Sequence, residues 1–328
     1  MSQDKKDLLA QFLLLQPAIS IWTASRRLYD EDLGTATAQL PSRGVATRGV
    51  IHIFPKDELK PFHRAKRELI SEIEVRSIRF AGGYLVPRAE YGDVRAAFVT
   101  CESVFNSQLA VLENGYDTIL KKFIQDNPKE AQLIEAKSHS WATVKDRFAC
   151  ALIPAAVSYA GDPESDGDMD KALDDLEHQL LREIATQALV LWDGMKERDA
   201  GTTRLRPPIE RIRKKLDAMK FVGQNVQPLI DVIDQVLKAI PVKGTLSGPQ
   251  FAMVFGLAGM LQSPESALAT AANVRMSGDA TKTAIALGHT KAEEGPAAPV
   301  STETMPTPQA GEESAGGVEE AEDELCLF

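Results

Sequence analysis

Cysteine is scarce: Cys101, Cys150 and Cys326 are three in 328 residues, odd in number, widely spaced and without a C-x-x-C pair. That excludes a disulfide framework and a structural zinc site, and it predicts a reducing, cytoplasmic setting. Long apolar runs are missing too. The longest, Phe251 to Leu261, is far short of the roughly 20 residues that cross a bilayer. The stretch Leu8 to Leu15 is broken by Gln11 and leads to no small-residue cleavage site, so neither a membrane segment nor a leader is expected. Histidines are few and scattered, at His52, His63, His139, His178 and His289, with no metal-ligand spacing. No phosphate-binding glycine loop, dinucleotide turn or nucleophile elbow occurs, and Gly244-Thr245-Leu246-Ser247-Gly248 lacks the lysine a phosphate loop requires. No metal, cofactor or catalytic residue is therefore expected, and the chain reads as a non-enzyme.

What is present is unevenly distributed. The net charge of -10 comes from ten acids between Glu293 and Glu324, beyond the last basic residue, Lys291. Before that point acids and bases balance at 37 each. From residue 277 onward Ala, Gly, Pro, Thr and Glu dominate, a composition that buries too little apolar surface to offset its ordering entropy. Residues 277–328 are read as a disordered acidic tail. It ends in Leu325, Leu327 and Phe328, large apolar groups that form a hook for a partner. The sequence Glu324-Leu325-Cys326-Leu327-Phe328 resembles the Gln-Leu-x-Leu-Phe peptide by which bacterial and phage DNA-processing proteins engage the sliding clamp, with Glu in place of Gln. A protease-recognition tag, or a hook for a different protein, fits the same residues.

The body is expected to be mainly α. Residues 1–91 form a mixed α/β region, with a helix over Lys6 to Gln16, strands near Ile19 to Thr23 and Val50 to Phe54, a helix from Phe62 to Ser77 and a turn at Gly82-Gly83. Residues 92–276 form a helical bundle. Val94, Phe98, Cys101, Phe105, Leu109, Leu112, Tyr116, Ile119 and Phe123 recur at spacings of three and four, which predicts one long amphipathic helix. Leu173, Leu176, Leu180, Ile184, Leu191 and Met195 predict a second, over Met169 to Arg198. Two such helices are expected to pack as an antiparallel hairpin. Shorter helices follow at Pro207 to Met219, Asn225 to Ala239, Pro249 to Leu261 and from Ser263.

Two charged stretches stand out. Asp162 to Asp170 alternates oxygen ligands as a calcium loop does, but Leu173 stands where a bidentate Glu is needed, so the stretch is read as an acidic loop capping the next helix. Arg204, Arg206, Arg211, Arg213, Lys214, Lys215 and Lys220 face only Glu210 and Asp217. With Ile209, Ile212, Leu216 and Met219 as the buried stripe, these bases are expected to project to solvent. Arg211, Arg213, Lys214 and Lys215 are then candidate contacts for nucleic-acid phosphates.

The order of features carries a resemblance. Ile21-Trp22-Thr23 with Arg26-Arg27-Leu28, then Pro55 to Phe62, Arg79 to Pro87, the long helices, and Arg211-Ile212-Arg213-Lys214-Lys215-Leu216 resemble the family of domain of unknown function 3150 over most of residues 10 to 265. That resemblance implies a bacterial, phage or plasmid protein encoded beside a MoxR or cobaltochelatase-like AAA+ ATPase and a von Willebrand A-type protein. It implies an adaptor of phage origin acting with them, and no catalytic residues. The alternative is a nucleic-acid-associated factor recruited to the sliding clamp through its terminal peptide.

Overall fold

The run Phe12-Leu13-Leu14-Leu15 is a strand and not the end of a helix. In the computed structural model, which describes residues 3–27, 46–47, 50–196 and 201–289, helix α1 (Gln3–Ala10) stops before β1 (Phe12–Ser20). β1 is the second-last strand of an antiparallel sheet ordered β5-β6-β1-β7, with β5 at Ile78–Phe80, β6 at Gly83–Pro87 and β7 at Ala149–Ala155. Leu14 and Leu15 pair with Leu85 and Tyr84 on one side and with Ala155 and Pro154 on the other. Two ladders of backbone hydrogen bonds outweigh the helical tendency of a short leucine run. A small second sheet joins β2 (Ser25–Arg27), β4 (Val50–His52) and β3 (Ala46–Thr47).

The β5–β6 hairpin turns through Ala81 and Gly82, both at positive φ (46° and 75°), the two-residue geometry that matches strand twist. At Gly83 a Cβ would stand 2.9 Å from the Leu15 carbonyl oxygen, so β1 and β6 approach there only because the position has no side chain.

The sheet divides the core in two. Successive residues of a strand face opposite sides, and Leu85 joins one cluster of buried side chains while Val86 joins the other. On one side lie α2 (Lys60–Glu74), the long α3 (Tyr91–Asp126), α4 (Ala131–Lys137) and α5 (Trp141–Lys145), with Trp22, Phe54, Phe62, Phe105 and Tyr116 in their core. On the other lie α6 (Pro163–Asp174), α7 (Leu176–Met195), α8 (Arg206–Ala218), α9 (Val226–Ala239), α10 (Gly248–Leu261), α11 (Pro264–Ser277) and α12 (Ala280–Leu287).

The mainly helical class with a mixed N-terminal part is what the chain shows, and α3 follows its expected stripe from Val94 to Tyr116. One detail differs. α3 and α7 do not form a hairpin: their stripes are buried in different clusters, one on each side of the sheet. The second helix is also split, with α6 ending at Asp174 and α7 beginning at Leu176. A division at residue 91 does not hold either, since β7 completes the sheet of β1 and β6 and residues Met1–Thr290 are one unit. The body also runs past 277, because α12 packs on α9 and α10. At Gly256 of α10 the Leu287 carbonyl comes so near that a Cβ would overlap it. Residues 291–328, with Leu325, Leu327 and Phe328 among them, lie outside the described residues. Among the described residues no helix is long and apolar enough to cross a membrane.

Candidate functional site

α8 begins with Pro207-Pro208 in its first turn and buries Ile209, Ile212 and Leu216, as its periodicity requires. It also buries Lys215, which is 1% exposed, against the expectation that its bases project to solvent. The Lys215 Nζ donates to the Glu74 carbonyl oxygen at 2.8 Å and to Glu183 Oε2 at 2.6 Å. Glu183 Oε1 accepts from the Arg79 backbone N–H at 2.8 Å, and the Arg79 guanidinium returns to Glu74 Oε1 at 2.7 Å. Gln179 on α7 donates to the Arg79 carbonyl. The lysine thus closes a polar ring that ties α8 and α7 to the end of α2 and to β5, with its charge balanced and two of its three hydrogens donated.

Other bases of the same run are also committed to the fold. Arg213 holds Asp234 of α9 through 2.9 and 3.3 Å contacts and Asp217 at 3.2 Å, and the Asp234 hydrogen bond, despite the opposing effect of burial, raises its pKa. Arg206 donates to the carbonyls of Leu237 and Ile240 at 2.9 and 3.2 Å, satisfying groups that the end of α9 leaves open. Arg204, Arg211, Lys214 and Lys220 remain exposed. Of the four candidate phosphate contacts, Arg211 and Lys214 reach solvent fully, Arg213 in part and Lys215 not at all.

The acidic stretch behaves as a cap, but it is helix and not loop. Asp162 accepts from the Ser165 N–H at 3.1 Å and from its hydroxyl at 3.0 Å, and α6 starts directly after it. These hydrogen bonds hold the Asp162 carboxyl below the usual carboxylate range. Glu164 and Asp166 in the first turn favour the positive end of the helix dipole. Among the described residues no group of three or more His, Cys, Asp or Glu side chains is gathered for a metal ion. His52 is buried and His139 half-buried, in separate places, and desolvation is the main cause that lowers the pKa of each. A cavity of about 680 Å³ lies between the β5–β6 hairpin and the α6–α7 junction, beside Arg79, Tyr84, Asp175 and Gln179.

Two features escaped the sequence reading. The first is the solvent face of α3. Between residues 96 and 111 its exposed positions are Ala96, Val99, Thr100, Ser103, Asn106, Ser107, Ala110 and Val111, all small or medium-sized and none charged. Val99 and Val111 are 49% and 57% exposed. The signal was in the gaps between stripe positions, where a solvated helix ordinarily carries Lys and Glu. The second is the shared core of Cys101 on α3 and Cys150 on β7, which sequence separation hid.

Comparison with curated proteins and with solved structures gave no match. The family model described as "Protein of unknown function (DUF3150)" matches residues 9–263, a span that includes the sheet, the neutral face of α3 and the buried lysine of α8, and the chain belongs to that family.

Proposed function

We propose that this chain is a non-enzymatic adaptor that docks a protein partner on the outer face of α3. The observation that carries this reading is the run of neutral, small exposed residues from Ala96 to Val111. Over that span, about 22 Å of helix, no fully exposed side chain is charged, so an interface has little charge to desolvate, and small side chains let a partner's backbone come close. The helix is anchored from beneath by Phe98, Cys101, Phe105 and Leu112, so its face is presented preformed. The family resemblance supplies the partner class, a co-encoded AAA+ ATPase of the MoxR or cobaltochelatase-like kind or its von Willebrand A-type companion in a phage or bacterial cytoplasm.

Co-expression of the chain with the neighbouring ATPase and von Willebrand A-type proteins tests this. The chain is expected to co-purify with one of them and to change the ATPase rate while hydrolysing no nucleotide alone. Failure to associate, with all three folded, would remove the adaptor reading.

A further inference from the structure

We propose that β7 is an interaction edge on which a second copy of this chain pairs, antiparallel and across a two-fold axis at Ala151. β7 is the last strand of its sheet, and among the described residues only β1 pairs with it. Its Ala149, Ala151, Ile153, Pro154 and Ala155 are exposed, Ile153 to 51%. Strand edges are ordinarily kept single by lysines, inward charges or bulges. Here no charged residue stands between Arg147 and Asp162, and the register with β1 runs unbroken from Leu14 opposite Ala155 to Ser20 opposite Ala149. The sheet face beside this edge is equally neutral, because Gln16, Ala18 and Ser20, opposite Ile153, Ala151 and Ala149, are exposed too.

The backbone selects the register between copies. The Gln11 carbonyl, just before β1, accepts from the Arg88 N–H at 2.7 Å, and the Ile19 carbonyl accepts from Lys66 Nζ at 3.2 Å, so the odd-numbered residues of β1 turn their peptide groups away from β7. Their partners on β7, Cys150, Leu152 and Pro154, turn theirs to the free edge. Pro17, which has no N–H to give Leu152, fits the same alternation. The edge therefore offers the N–H and C=O of Cys150 and of Leu152. With the two-fold at Ala151, Cys150 of each copy faces Leu152 of the other, and each pair exchanges both of its bonds, so every one of those groups is used. Pro154 then falls opposite Phe148, whose N–H already goes to the Lys145 carbonyl, and no bond is lost to the proline. Ile153 falls opposite Ala149, large against small, and Arg147 opposite Ala155, so like charges do not meet. Two four-stranded sheets become one of eight strands. Paired residues share a face, and Cys150 and Leu152 belong to the core beneath α3, so both copies carry α3 on the same side of the joined sheet.

The test is sedimentation velocity of the full chain over a concentration series, with dithiothreitol present so that Cys326 forms no link between chains. The expected result is a monomer–dimer equilibrium, with hydrogen exchange at the Cys150 and Leu152 amides slowing as the dimer fills. Ala151→Lys sets two ammonium groups face to face at the axis and should weaken the dimer by about 100-fold, while the melt stays that of the parent because Ala151 is exposed. Ala151→Asp should act in the same way, and mixing the two variants should restore a dimer containing one copy of each. The proposal is overturned if the parent stays monomeric at every concentration, if its dimer leaves exchange at Cys150 and Leu152 unchanged, or if the dimer survives Ala151→Lys. It is overturned as well if the two folded variants stay monomeric when mixed.

Discussion

A lysine at position 215 sits where an apolar side chain would continue the stripe of α8, and its two acceptors come from residues 141 and 32 positions away in sequence. No pattern within α8 announces that. Periodicity marks Ile212 and Leu216 as inward, but whether the neighbouring base is buried depends on a carboxylate that only the tertiary fold delivers. The consequence is measurable. Lys215→Ala leaves Glu183 without its cation and should cost on the order of 3–5 kcal/mol in urea unfolding. Lys215→Met combined with Glu183→Gln removes both charges, keeps an acceptor for the Arg79 N–H, and should recover most of that loss. Exposed Arg211 and Lys214 behave differently: replacing both by Ala should change stability by less than about 0.5 kcal/mol each. Since Arg206, Arg213 and Lys215 have internal partners, any salt-sensitive binding of duplex DNA by α8 should vanish in that double variant. Binding that survives it would locate the phosphate contacts elsewhere.

At the scale of elements, strong periodicity was readable and its partners were not. α3 is the expected helix because its stripe recurs over many turns, and Ser263 caps α11 through the Ser266 N–H as its Ser-Pro-Glu start indicates. The pairing of α3 with α7 failed because an amphipathic stripe specifies burial without naming the surface that buries it, and here β1 and β6 stand between. β7 was missed because Ala149-Cys150-Ala151-Leu152-Ile153 is short and lies after a string of small helices. α12 was missed because its Ala- and Thr-rich sequence resembles the composition beyond it; its docking depends on the absence of a side chain at Gly256. Gly256→Ala should therefore push α12 from α10 and cost about 1–3 kcal/mol, in spite of alanine's better helix propensity. A thermal melt equal to or above the parent's would mean that the α10–α12 contact does not constrain the fold.

For the molecule as a whole, composition foretold a body with balanced charge, and the structure places that charge unevenly. Bases and acids clip helices together around α8, whereas none of the fully exposed positions in the middle of α3 is charged. That contrast assigns the work of recognition to shape and apolar contact. The most direct test is the affinity of the full chain for the ATPase or von Willebrand A-type partner, measured by titration calorimetry for the parent and for Val99→Lys with Val111→Lys. Both positions are exposed, so the variant should melt within about 0.5 kcal/mol per substitution of the parent. Its affinity should fall by about 100-fold, or roughly 3 kcal/mol. An equally folded variant that binds as tightly as the parent would contradict the assignment of α3 as the docking face.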